Sequence, residues 1–246
     1  MIEEFDKYVR NYDFSNSKVE RKYNHSHRVM ELNRKYAKTL GFNNYEIEVA
    51  TIIGLLHDIG RFEQIKQFNT FDDSISFDHA SYGVRLLFED GLIKNFWNNT
   101  DDYEVIRFAI ENHNKFAIEK TDNKRALMHA KLIRDTDKLD IMRIYGNLNE
   151  IDLKVCDDEI SSEVIKEFMN HQSVLSKNIK NINDKTVLSL SFAFDINHDE
   201  CLEEFKEYYT NYYYKLKKLS SKFDNIYEEA IKYIDERIDK YVRNKI

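Results

Sequence analysis

Apolar positions recur at spacings of three and four along most of the chain, the period of amphipathic α-helices. His25, Val29, Leu32 and Tyr36 follow the i, i+4, i+7, i+11 spacing of one buried face, in a helix expected from Lys18 to Leu40. Ser17-Lys18-Val19-Glu20 has capping-box spacing at its start, and Gly41 offers a stop. Asn44 can open a second helix over 45–57, closed by Gly60. Asp78 caps a third, ended by Asp90-Gly91, and Thr100-Asp101-Asp102 opens a fourth that reaches about Asn112. A fifth runs from about Asn123 to Tyr145 and is apolar on most sides, as a buried central helix would be.

After Gly146 the character changes. An amphipathic helix is expected over 157–178, through Ile160, Val164 and Phe168. Long helical stretches fill 199–243, first through Phe205, Tyr209 and Tyr212, then through Ile226, Ala230 and Ile234. Their tyrosine-rich stripe reads as packing surface. The segment 187–196 is ambiguous. Leu188, Leu190, Phe192, Phe194 and Ile196 alternate as in a strand, while Val187, Leu190 and Phe194 fit a helix. The expected class is all-α, without internal repeat or flexible linker.

A chain of 246 residues can hide roughly 70–75% of its unfolded surface as one domain. It needs no disulfide framework to fold. With 6 Gly and no Pro, collagen-like and linker-rich classes are excluded. The net charge of −7 and a pI near 5.7 give no global attraction for nucleic acid or anionic membrane. Cys156 and Cys201 fit a reducing compartment and form no metal-binding pair. The stretch Met1-Ile2-Glu3-Glu4-Phe5-Asp6 lacks the features of a signal peptide, and no run reaches the ~20 apolar residues of a membrane span. A cytoplasmic location without membrane association is therefore expected.

The informative chemistry lies in the first 140 residues. Leu55-Leu56-His57-Asp58-Ile59-Gly60 sets an imidazole beside a carboxylate at the end of an apolar helix. Burying both without partners is expensive, and a metal ion is one partner that resolves the cost. His25 points inward by helical phase, whereas His27 sits about 200° round the helix and is expected at the surface. Asp137 shares a face with Ala130, Ile133, Ile141 and Ile144, so it needs a strong partner. The other His-Asp pair, His198-Asp199, reads as an exposed helix start. His129 and His171 read as structural or surface residues.

These residues, in this order, resemble the HD superfamily of metal-dependent phosphohydrolases. His25-Ser26-His27-Arg28-Val29 fits its His-x-x-Arg-Val opening. His57-Asp58 fits its central pair, and Asp135-Thr136-Asp137-Lys138-Leu139-Asp140 its Asp-x-Asp-Lys-Leu-Asp signature. The resemblance covers about residues 18–145. It implies a single all-α HD-type domain over 1–246, with a metal-site core at 18–145 and a helical extension at 146–246. It also implies that one metal takes His25, His57, Asp58 and Asp137. A second would take His79 and His113, with Asp58 bridging. Taken singly, His79 could be a helix-cap neighbour and His113 a C-terminal dipole partner.

This ligand set suits one or two divalent transition metals among Fe, Mn, Zn, Co and Ni, with two expected. Two close metals can hold a hydroxide at neutral pH and clamp a phosphate in displacement. Asp58 is expected at the catalytic centre. Arg61 and Lys138 are candidates to bind phosphate, and Glu63 to act as a base or to be solvated. The expected substrate is a small phosphorylated molecule, a nucleotide by preference. The cyclic-dinucleotide branch is disfavoured by the lack of Pro and by Asn114 after His113. Arg61 also departs from the stringent-nucleotide and 5′-nucleotidase branches, while the diadenosine-tetraphosphate hydrolases match in part. Two other readings are a non-catalytic nucleotide-binding module and a di-iron oxygenase. The aromatic stripe leaves a homo-oligomer open.

Overall fold

A computed structural model describes residues 1–149 and 152–245. The fold is all-α, and the described residues contain helices and turns but no strand. The chain divides into two compact units, Met1–Asp137 and Lys138–Ile246. The division falls within one helix, α7 (Lys124–Asn147).

The first unit opens with α1 (Ile2–Val9), which the sequence pattern did not announce. It buries Phe5 and Val9 in the core beside Phe62, Ile52 and Leu56. α2 (Ser17–Thr39) is capped by Asn16, not by Ser17: the Asn16 side chain accepts the Lys18 N–H at 3.0 Å. Gly41 ends it as expected, with φ +76°. The Gly41 and Phe42 N–H groups return to the Lys38 and Ala37 carbonyls, closing a Schellman turn. α3 (Asn44–Leu56) is the most buried helix of this unit. Gly54 lets it lie on α2, because a Cβ there would sit 2.8 Å from the Met30 Cα.

Gly60 does not close α3. A bend over residues 57–59 separates α3 from α4 (Gly60–Phe68), and Gly60 opens the new helix. α5 (His79–Val84) is capped by Asp78, whose side chain accepts the Ser81 N–H at 2.7 Å. A π-turn over Arg85–Glu89 extends it to Gly91. Asn99 caps the short turn that leads into α6 (Tyr103–Asn112). α7 starts where Asn123 accepts the Ala126 N–H, and it buries Ala126, Ala130 and Ile133 in the core.

The second unit holds the rest of α7, α8 (Ser162–Met169), α9 (Ile182–Leu190), α10 (Leu202–Leu219) and α11 (Asp224–Lys245). α8 is far shorter than the expected 157–178. The chain leaves it through His171 in the left-handed region, φ 55°. The ambiguous 187–196 segment is helical up to Asp195, and Ile196 is extended. α9 continues into a 3₁₀ turn over Ser191–Asp195, and burial on most sides of α9 masks its helical period. The tyrosine stripe is packing surface: Tyr209, Tyr212 and Tyr213 are buried, and Tyr213 stacks on Tyr227 with ring centres 3.7 Å apart.

Asp184 anchors α9. Its buried carboxylate accepts the Ser161 N–H, the Ser161 hydroxyl and the Lys180 N–H, each at 2.8 Å, and the Asn181 N–H at 3.3 Å. Burial pushes its pKa up, but these hydrogen bonds outweigh burial and hold it below the ordinary carboxylate value. Its contribution is therefore complete above the unfolded value near 4 and is lost as pH falls through the depressed folded value. Asp184→Asn turns an amide N–H₂ towards donors and is expected to cost about 1–3 kcal/mol at pH 7. The gap to wild type should narrow in thermal melts below about pH 4. Equal melting of the two proteins at pH 7 would remove this role.

Candidate metal centre

Each side chain at the centre is set by a helix end or a helix face. His25 lies on the inward face of α2 and is buried. His57 and His113 are the C-cap residues of α3 and α6. Each turns its Nδ1–H back to a carbonyl of its own last turn: His57 to Gly54 at 2.8 Å, His113 to Ile110 at 2.6 Å. The free carbonyls of a helix C-terminus thus fix both tautomers. His79 is the first residue of α5, and its Nδ1–H donates to Asp73 Oδ2 at 2.7 Å. Asp58 follows His57 in the bend, and Asp137 projects from α7.

The structure brings all six predicted ligands together. His25 Nε2 lies 3.2 Å from His57 Nε2 and 3.1 Å from Asp137 Oδ1. Asp58 divides its two oxygens. Oδ2 faces His25 at 3.4 Å and His57 at 3.5 Å, while Oδ1 faces His79 at 3.2 Å and His113 at 3.7 Å. His79 and His113 bring their Nε2 atoms within 3.0 Å. Three overlapping groups of ligand atoms result, each spanning less than 4.8 Å: His25-His57-Asp58, His57-His113-Asp137 and Asp58-His79-His113.

These residues fit metal ions by their own chemistry. In His57, His79 and His113 Nδ1 is engaged by a carbonyl or carboxylate, so Nε2 is the nitrogen each turns to the cluster. Two neutral imidazoles with Nδ1–H would face each other through lone pairs at the 3.0 Å that separates the His79 and His113 Nε2 atoms. A cation between them turns repulsion into attraction. Coordination shells with bonds of about 2.1 Å have edges of about 3.0–3.4 Å, the spacing seen here.

The electrostatics agree. Burial pushes Asp58 up, yet Lys22 and the surrounding histidines outweigh it and hold the carboxyl well below its ordinary value. Asp137 is likewise held low against burial by hydrogen bonds from His25 and His57. Burial pushes His113 down to about 4, so it is neutral at pH 7 and ready to bind metal.

Lys22, three residues before His25 on α2, was not read from the sequence. Its ammonium lies 2.5 Å from Asp58 Oδ2 and 5.4 Å from the centre of the Phe71 ring. The i, i+3 spacing to His25 was the available signal. Arg61 is held through Nη1 by Gln64 Oε1, the Phe71 carbonyl and Asp73 Oδ1, at 2.6–2.8 Å. Its Nε, buried and without a hydrogen-bond partner, lies 3.6 Å from Asp58 Oδ1. Asp73, which the sequence reading also missed, joins Arg61 to His79. Burial pushes Asp73 up, but His79 and Arg61 bring it to about 2.

The other predicted positions have local partners. Lys138 pairs with Asp195 at 2.9 Å and lies over the Phe192 ring. Glu63 accepts the Tyr12 hydroxyl at 2.9 Å and the Gln67 amide at 3.0 Å. His27 is not fully exposed: it packs on Phe5 and Tyr23 and meets Asp6 at 3.1 Å. His129 and His171 pair with Glu46 and Glu229, each at 2.7 Å.

Residues 23–142 match the family model of the HD domain. No curated protein and no solved structure matches the chain. Among the described residues, no helix is long and apolar enough to cross a membrane.

Proposed function

We propose, for a chain whose residues 23–142 belong to the HD domain family of metal-dependent phosphohydrolases, hydrolysis of a phosphoester or phosphoanhydride in a small phosphorylated substrate, a nucleotide by preference. One observation carries this reading. Asp58 turns one oxygen to each of two histidine pairs, the arrangement of a carboxylate shared by two cations. His25, His57, Asp58 and Asp137 would hold the first, and His79, His113 and Asp58 the second. The imidazole and carboxylate donors suit Mn, Fe, Co, Ni or Zn. Bound divalent cations supply an activated water at neutral pH and charge that offsets the phosphoryl oxygens.

The chain's own groups complete the site. With Asp58 engaged by cations, Lys22 loses its counter-charge while only 14% of its side chain is exposed. A substrate oxyanion would restore that pairing. The unpartnered Arg61 Nε–H offers a second donor beside the other Asp58 oxygen, Oδ1. Asp73 and Gln64 hold the guanidinium still, so it orients the phosphate without a search through rotamers.

The test is phosphate release from p-nitrophenyl phosphate and from a panel of nucleotides, with each metal added in turn. Release that depends on metal and stops with chelator is expected. Thermal stabilisation by nucleotide with no product under any metal would replace hydrolysis with the non-catalytic binding reading.

A further inference from the structure

Arg134 is among the largest fully buried side chains, 1% exposed, and it lies three residues before the ligand Asp137 on α7. A guanidinium taken out of water needs its charge met by hydrogen bonds. Arg134 turns to the end of α6. Nη1 donates to the Asn112 carbonyl at 2.8 Å, the Lys115 carbonyl at 2.6 Å and, more weakly, the His113 carbonyl at 3.4 Å. Nη2 donates to the Phe116 carbonyl at 3.4 Å. These carbonyls belong to the helix end and the loop that carry His113. An apolar side chain would fill the same volume and leave the carbonyls without their donor.

The loop is tied onward. Asn114 Nδ2 donates to Asp78 Oδ2 at 2.9 Å, and Asp78 is the cap of the helix that begins with His79. Both histidines of the Asp58 Oδ1 side thus depend on the segment that Arg134 clasps. His25 and His57, on the Oδ2 side, are set by α2 and by the Gly54 carbonyl. We propose that Arg134 is a positioning residue for the second cation: through the 112–116 loop and Asn114 it holds His113 and His79 at bonding distance, with little influence on the first. The inference rests on the dinuclear reading above.

The experiment is titration of metal-free full-length chain with Mn²⁺, counting bound and free ion, for wild type, Arg134→Lys, Arg134→Met and Asn114→Ala. Wild type should show two classes of site. Arg134→Met should weaken the second class roughly 10–100-fold, the usual cost of losing a group that orients a metal ligand. The first class should stay within about twofold of wild type. Arg134→Lys keeps the charge but not the fork, so it should restore part of the loss. Asn114→Ala removes one exposed hydrogen bond and should weaken the second class alone. If Arg134→Met does not fold, Arg134→Lys and Asn114→Ala carry the test. Two unchanged classes, or equal weakening of both in variants that melt like wild type, would overturn the proposal and leave the dinuclear reading intact. A single class in wild type would overturn that reading, and the proposal with it.

Discussion

Asp58→Ala is expected to abolish metal-dependent phosphate release, by about 10³-fold or more, while the protein remains folded. A loss of 10³ is about 4 kcal/mol of transition-state stabilisation. The size follows from the geometry, since Asp58 lies 3.2–3.7 Å from all four Nε2 atoms, with one oxygen turned to each histidine pair. On the proposed dinuclear reading its removal would take a ligand from both cations together, and it leaves Lys22 without the Asp58 carboxylate it pairs with. Loss of any single histidine removes a ligand from one side only. Phosphate release and a thermal melt on the same preparation check the result. A folded Asp58→Ala protein with wild-type turnover would place the chemistry elsewhere.

Gly60→Ala is expected to be the most damaging small substitution near the site. A Cβ at Gly60 would overlap the His79 carbonyl oxygen and lie 2.8 Å from the Gly83 nitrogen. Both obstacles are backbone, so no rotamer change relieves them. Gly83 faces the same crossing, with Ile59 Cγ2 and the Gly60 nitrogen each 3.3 Å from where its Cβ would stand. The two glycines let α4 and α5 touch, and that contact sets His79 against the bend that carries Asp58. Forcing the helices apart costs typically 1–3 kcal/mol. For a chain of this size that is a drop of roughly 2–12 °C in melting temperature. Because the displaced group is His79, phosphate release should fall as well. Melting within a degree of wild type and unchanged turnover would show that the crossing is not needed.

How much of this was legible beforehand depends on what each residue's partner is. His25 and Asp137 were readable because a polar group on an apolar helical face is conspicuous in a periodic pattern. His79 and His113 could be placed beside helix boundaries, Asp78 being a capping residue and Asn112-His113 closing an amphipathic run, but their place among the ligands came from the family resemblance alone. Lys22 had a signal in its i, i+3 spacing to His25, but an amphipathic lysine on a charged helix does not stand out. Asp73 and Arg134 carried no such signal. One acts within an irregular loop, and the other acts on backbone carbonyls that no side-chain pattern encodes. Gly60 has the same origin: as a stop its residue type was informative, but its actual role is set by a helix 19 residues further on. The strand-like alternation at 188–196 misled in a different way. A segment buried on most sides loses the contrast that periodicity needs.

Two cations sharing Asp58 are the centre of the proposed chemistry, and elemental analysis of gently purified, untagged full-length chain tests them most directly. About two first-row transition-metal ions are expected per wild-type chain, and far fewer in folded Asp58→Ala protein. No bound transition metal in wild type, or the same content in Asp58→Ala as in wild type, would contradict that proposal.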